Sequence, residues 1–253
     1  MSQLRQLRSQ TGYDLLIFRR NPAATFFTVV LPLIFFLLFL TIFGNNTDEQ
    51  GVRAATYFVP GILALQITSA TLVNLAMTIT SRRERGVLKR VRGTPLAPWV
   101  FITAQALASL VISLVSAVLL IALGWLVYDV SVRGAGLVPL VISVTIGSLA
   151  LSALGLALTA VIPSEQAAPA VTNAVVLPLY FISDVFIVGD KPRALELVAE
   201  VFPIQHLVSA MFTAFDPLAE GVPWPVTDWL VLAAWGLGGL VAAVVSFRWT
   251  PRR

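Results

Sequence analysis

The side chains able to do chemistry in this 253-residue chain are few and mostly neutral. Cysteine is absent, so no disulfide and no thiolate metal site can form. The one histidine, His206, has no second histidine to share a metal with and reads as a hydrogen-bonded structural residue. No HExxH, GxSxG or GxxxxGK(S/T) pattern occurs, so neither a catalyst nor a phosphate-loop ATPase is legible. No metal and no cofactor is assigned to this chain. What remains inside the apolar stretches is a set of amides: Gln66, Asn74, Gln105 and Asn173. Such groups either join helix to helix by hydrogen bonds or face a substrate path. No Asp, Glu, Lys or Arg lies at the centre of an apolar stretch. Proton- and sodium-coupled carriers use a group of that kind at mid-depth, so the chain does not power itself. Any transport work draws its energy from another chain.

The elements that must position these amides are membrane helices. Hydrophobic residues make up 57% of the chain and charged residues 12%, half the load of an ordinary soluble domain. The mean hydropathy is +0.86. Charge-free runs occupy Ala23–Phe43, Ala54–Thr80, Gly93–Tyr128, Gly134–Ser164, Gln166–Ser183 and Trp229–Phe247. Each approaches or exceeds the ~20 residues that cross ~30 Å of hydrocarbon as a helix. Prolines 95 and 98 place the third start near Trp99, and the glycines at 134 and 136 place the fourth near Leu137. The expectation is an all-α, polytopic membrane protein of six spans, a single domain over 1–253. It divides into a leader (1–20), the six-span region (21–247) and a tail (248–253). The first run is too long for a signal-peptide core and is expected to be retained.

Charge sets the orientation. Thirteen Lys and Arg fall on one side of this frame, in the leader, in 82–92 and in the tail, against four on the other. The basic side is the cytoplasmic one, with both termini, in a plasma membrane. A pI near 10 therefore reports topology, and nucleic acid is not an expected partner.

Three segments are neither span nor plain loop. Leu4, Leu7, Thr11, Leu15 and Phe18 form one helical stripe flanked by Arg5, Arg8 and Arg19, as in an amphipathic helix lying on the cytoplasmic leaflet. Asn21–Pro22 reads as a cap and first helical residue, so a new helix starts there. Ser81–Pro98 is polar and basic with an apolar ridge of Val87, Leu88 and Val91, and predicts a short helix over Arg82–Arg92. Val201–Phe215, at ~1.5 Å per residue, is too short to cross and predicts a re-entrant or interfacial helix on the outer face before the last span. In the fourth span, Thr145, Ser148, Ser152, Gly155 and Thr159 form a stripe of small residues that permits close helix packing.

This order of elements resembles the membrane permease of type-2 ABC exporters over nearly the whole chain. The most specific likeness is Glu84–Arg85–Gly86, then Leu88, Arg90 and Thr94–Pro95–Leu96. Phe202–Pro203–Ile204–Gln205–His206–Leu207 is similar to the family's proline motif before the last span. The resemblance implies an assembly of two permeases, homo- or heterodimeric, with two ATPase subunits that bind the ATP and Mg. It implies that Arg83, Glu84, Arg85, Gly86, Leu88 and Arg90 dock into the ATPase, with Pro163–Gln166 as a second, smaller contact. Membrane lipid surrounds the whole. The implied function is multidrug-type export of amphipathic, drug-like or lipid-linked molecules. A lipid-linked polysaccharide permease is the alternative within transport, and a non-conducting membrane anchor or assembly subunit the alternative outside it. The aromatics sit towards predicted span ends, which leans the reading to drug or lipid rather than polysaccharide.

Overall fold

The computed structural model describes residues 2–47, 52–94, 96–186, 192–216, 221 and 224–246. The 248–253 tail and Pro95 of the loop motif lie outside the described residues. Among the described residues there is helix and loop, with one isolated antiparallel bridge, Thr47 to Arg53.

Helix α1 (Gln3–Arg19) is the amphipathic leader. It meets α2 (Pro22–Phe43) at the elbow its sequence announces. Asn21 Oδ1 accepts from the Ala24 N–H at 3.1 Å, and Thr25 Oγ1 donates to the Phe18 carbonyl at 3.1 Å across the corner. Four of the other charge-free runs, those starting at Ala54, Gly93, Gly134 and Trp229, become α3 (Ala54–Glu84), α5 (Pro98–Tyr128), α6 (Leu137–Leu158) and α10 (Val226–Ser246). With α2 these are five helices long and apolar enough to cross a membrane.

The fifth expected span is shorter. Helix α7 (Ala168–Ile182) has 15 residues, because the chain spends Ala160–Ala167 on turns after α6. Beyond it, α8 (Arg193–Ala199) and α9 (Pro203–Phe212) form a pair bent by 94°, with Pro203 opening the second arm. The expected re-entrant segment is therefore the second arm of a bent pair.

The basic loop also differs from expectation. α3 does not stop at Ser81 but runs through Glu84, and the short helix that follows, α4, covers only Val87–Arg92. The break falls at Gly86, whose φ of 69° is a left-handed conformation that costs a glycine little and reverses the chain.

Helix α3 is the centre of the bundle: 72% of its most apolar stretch is buried, against 22% for α2 and 17% for α10. It pivots on a π-helical turn at Ser69–Val73. Just before and within this turn, the Thr68 and Thr71 hydroxyls donate back to the carbonyls of Ala64 and Ile67 (2.7 and 2.6 Å), competing with the regular ladder. A similar turn in α2, Phe26–Val30, precedes Pro32, which has no N–H to donate to the carbonyl four residues back. The small-residue stripe of α6 is buried from Ser148 to Thr159. At Gly155 a Cβ would meet the Leu72 carbonyl oxygen at 2.7 Å, so only glycine lets α6 lie on the π-turn of α3.

Candidate functional site: the basic end of the bundle

The last turn of α3 and the residue capping it hold three arginines that point to three different elements. Arg82 reaches α1, where its guanidinium meets Asp14 Oδ1 at 2.8 Å; both side chains are nearly enclosed, 12% and 4% exposed. Gln10 donates to the other Asp14 oxygen at 3.2 Å, and the Arg82 guanidinium sits 5.6 Å from the centre of the Phe101 ring. Arg83 turns to the chain just beyond α6 and donates to the carbonyls of Thr159 (2.8 Å) and Ile162 (2.7 Å). Arg85 crosses to the α6–α7 turn, donating to Glu165 through Nη2 at 2.6 Å and Nε at 3.3 Å, while the Ser81 hydroxyl donates to the same carboxylate at 2.9 Å. The Arg85 hydrogen bonds hold the Glu165 carboxyl below its ordinary range, and the same bonds to Glu165 raise Arg85.

These positions sort the six residues that the resemblance marked for docking. Arg83 is 2% exposed and faces the protein interior, and Leu88 is fully buried beneath α4 against Leu75, Ile79, Phe101 and Leu156. They anchor the turn. Arg85 and Arg90 face solvent together with Lys89, Glu84 is half-buried, and Gly86 makes the turn between them. Arg90 also donates to the Arg85 carbonyl at 3.4 Å. The result is a basic surface fixed from below by an apolar anchor and from the side by Glu165.

The four span amides do not converge. Asn74 and Gln105 line one cavity of about 40 Å³, with Asn21, Asp14, Arg82 and Ser109 around it, room for about three waters. Gln105 Nε2 has no hydrogen-bond partner among the described residues. Gln66 is enclosed elsewhere in α3, with both amide atoms unpartnered among the described residues. Asn173 is exposed on α7.

Two features escaped sequence reasoning. The first is Asp14, the only acid before residue 48, which sits at the edge of the apolar stripe of α1. An acid on the buried side of a basic helix is the signal that could have found its partner. The second is a network of aromatic rings at the opposite end of the bundle. Phe186 packs within 6.2 Å of Phe35, Phe39, Tyr180 and Phe181, and Phe39 continues to Phe43 and Phe58. It joins α2, α3 and α7 and gathers six of the fifteen phenylalanines into one patch. His206 is structural, as expected: its Nδ1 lies 2.7 Å from Asp228 Oδ1 and its Nε2 2.8 Å from the Glu200 carbonyl, pinning the α8–α9 corner to α10.

Residues 5–215 match the family model described as "ABC-2 type transporter". Among curated proteins, the chain is 23% identical over 151 residues to "Probable multidrug ABC transporter permease YbhR" of Escherichia coli strain K12, covering 59% of this chain and 41% of that protein. It is 24% identical over 204 residues to "Daunorubicin resistance ABC transporter permease protein DrrB1" of Streptomyces coeruleorubidus, covering 78% and 70%. The match to the first thus spans about two fifths of that relative's length.

Proposed function

Since this chain belongs to the ABC-2 type transporter family, we propose that it is the membrane-spanning permease subunit of an ATP-driven exporter. Its members are transmembrane subunits without an ATPase motif, and ABC-2 permeases work with ABC ATPase subunits. The nucleotide and its Mg would be held by that separate chain, and a second permease, identical or related, would complete the membrane unit. The basic end faces the cytoplasm of a cell bounded by this plasma membrane, which places both termini inside; the gathering of Arg and Lys there supports it.

The observation that carries the coupling role is the pairing of Arg85 with Glu165 above the buried Leu88. It ties two connections, α3–α4 and α6–α7, into one surface, and that surface presents Arg85, Lys89, Arg90 and Glu84. A push on α4 is passed directly to α3, the central helix.

The cargo we propose is amphipathic and drug-like or lipid-linked. The relatives are named for multidrug transport and daunorubicin resistance. The interior amides Gln66, Asn74 and Gln105 carry no net charge to hold an ion, and Asn173, exposed on α7, is the amide placed to meet a polar substituent. The aromatic patch around Phe186 favours cargo bearing rings, and keeps a lipid-linked glycan as the second reading, since sugars also stack on aromatic faces.

The test is co-expression with a candidate ABC ATPase subunit. The permease should co-purify with that ATPase, and ATP hydrolysis should rise with an amphipathic cation and not with a free sugar. Asn173→Leu should lower efflux of that compound at unchanged expression. Failure to bind any ATPase would leave an anchor or assembly role; stimulation by lipid-linked glycan alone would favour the second reading.

A further inference from the structure

A shallow, open groove of about 440 Å³ runs between α1 and α5. Leu4, Leu7 and Leu15 of α1 and Leu107 of α5 wall it, and Arg8 is its one charged lining residue. At Gly12 the wall is open: a Cβ added there would find nothing within 4 Å. Leu4 is 77% exposed, so the groove ends on bare apolar surface.

The charge of α1 is one-sided. Its only acid, Asp14, turns inward to Arg82, while Arg5, Arg8, Arg19 and the following Arg20 are all exposed. The helix therefore offers its surroundings positive charge without an accessible carboxylate. Chains of CH₂ groups would gain from the leucine walls, and an anion at the rim would gain from Arg8.

We propose that this groove holds one anionic phospholipid, its acyl chain along Leu4, Leu7, Leu15 and Leu107 across Gly12, its phosphate paired with Arg8. The inference rests on α1 lying in the membrane interface on the cytoplasmic side. It does not rest on an ATPase partner or a cargo. A zwitterionic lipid finds no carboxylate in the lining to meet its ammonium, and a free phosphate makes no use of the leucines.

Native mass spectrometry of the full chain in detergent, titrated with phosphatidylglycerol or with phosphatidylcholine of the same acyl chains, tests it. One phosphatidylglycerol should be retained in preference to phosphatidylcholine. Arg8→Gln should weaken it about fivefold, the scale of one basic residue at an anionic surface. Arg5→Gln removes the same charge outside the groove and should leave the bound lipid unchanged. Gly12→Leu should abolish it by filling the groove; leucine is the better helix former, and an unchanged circular dichroism spectrum would separate that loss from unfolding. Millimolar inorganic phosphate should not compete. Equal effects of Arg5→Gln and Arg8→Gln, equal retention of the two lipids, persistence in Gly12→Leu, or displacement by phosphate would each overturn the proposal. These measurements need no ATPase, so a failed export assay leaves them standing.

Discussion

Removing the carboxylate of Asp14 should be the most damaging single change at the basic end. The pair with Arg82 is 2.8 Å long, with the two side chains 4% and 12% exposed, so neither charge has much water to fall back on. Breaking such a buried pair from one side costs about 3–5 kcal/mol, because the remaining charge is left without compensation. At ~2–4 °C per kcal/mol for a chain of this size, Asp14→Leu should lower the apparent Tm by on the order of 10 °C. Arg82→Met should do similarly, with the added loss of its contact on Phe101. The double variant should recover most of that fall, since replacing both charges with apolar groups removes the orphan. The assay is thermal unfolding of the purified full-length protein in one detergent, followed by intrinsic tryptophan fluorescence, for all four members of the cycle. A double variant no better than the sum of the singles, or an Asp14→Leu shift under ~2 °C, would refute the assignment of this pair as a desolvated clasp between α1 and α3.

Leu88→Asp should abolish cargo-stimulated ATP hydrolysis by a co-expressed ATPase while membrane insertion persists, because a carboxylate cannot stay in the apolar seat under α4 and lifts the coupling turn. Glu84→Ala, on the half-buried outer side, should lower coupling without changing Tm; full activity in both variants would reduce the loop to a topology signal. The Glu165 carboxyl, held below its ordinary value of 4.5 by Arg85 and Ser81, contributes stability at higher pH that is lost as pH falls through its lowered value. Wild type should therefore lose more stability than Glu165→Gln as pH falls below 4.5, read by the same melts; parallel curves would refute it. Gly155→Leu should express poorly or run as aggregate on size exclusion, as its side chain would drive into the Leu72 backbone, whereas Gly12→Leu should not. Single cysteines at Ser2 and Thr250 should label only from the cytoplasm, and at Asn46 and Glu200 only from outside; the reverse pattern would invert the orientation.

The features legible in the sequence are the local ones. The Asn21–Pro22 elbow is written in adjacent residues, and the spans in the length of their apolar runs. The short α7 is partly legible, since Gln166–Ser183 is the shortest run, yet the turns that trim it depend on where α6 ends. The basic segment 82–92 reads as a solvated short helix because six cations in eleven residues look like surface. Two of its members are in fact interior or nearly so, and what draws them in lies far along the chain: Asp14 is 68 residues from Arg82, and the Thr159 carbonyl is 76 from Arg83. Nothing in the spacing of 82–92 encodes those distances. The π-turns are similarly hidden, arising from hydroxyls and a proline that any apolar helix could carry.

The shortness of α7 has a consequence for the membrane itself. Fifteen helical residues rise only ~22 Å, some 8 Å less than a typical hydrocarbon slab. Where a hydrophobic segment is too short, lipid thins to meet it, at a modest free-energy cost per ångström of mismatch. With α7 as the fifth span, a bilayer pinched beside it would shorten the oily path that a polar headgroup crosses at that point. The helix bearing the exposed Asn173 would thus lower the crossing barrier by geometry, before any side chain binds anything.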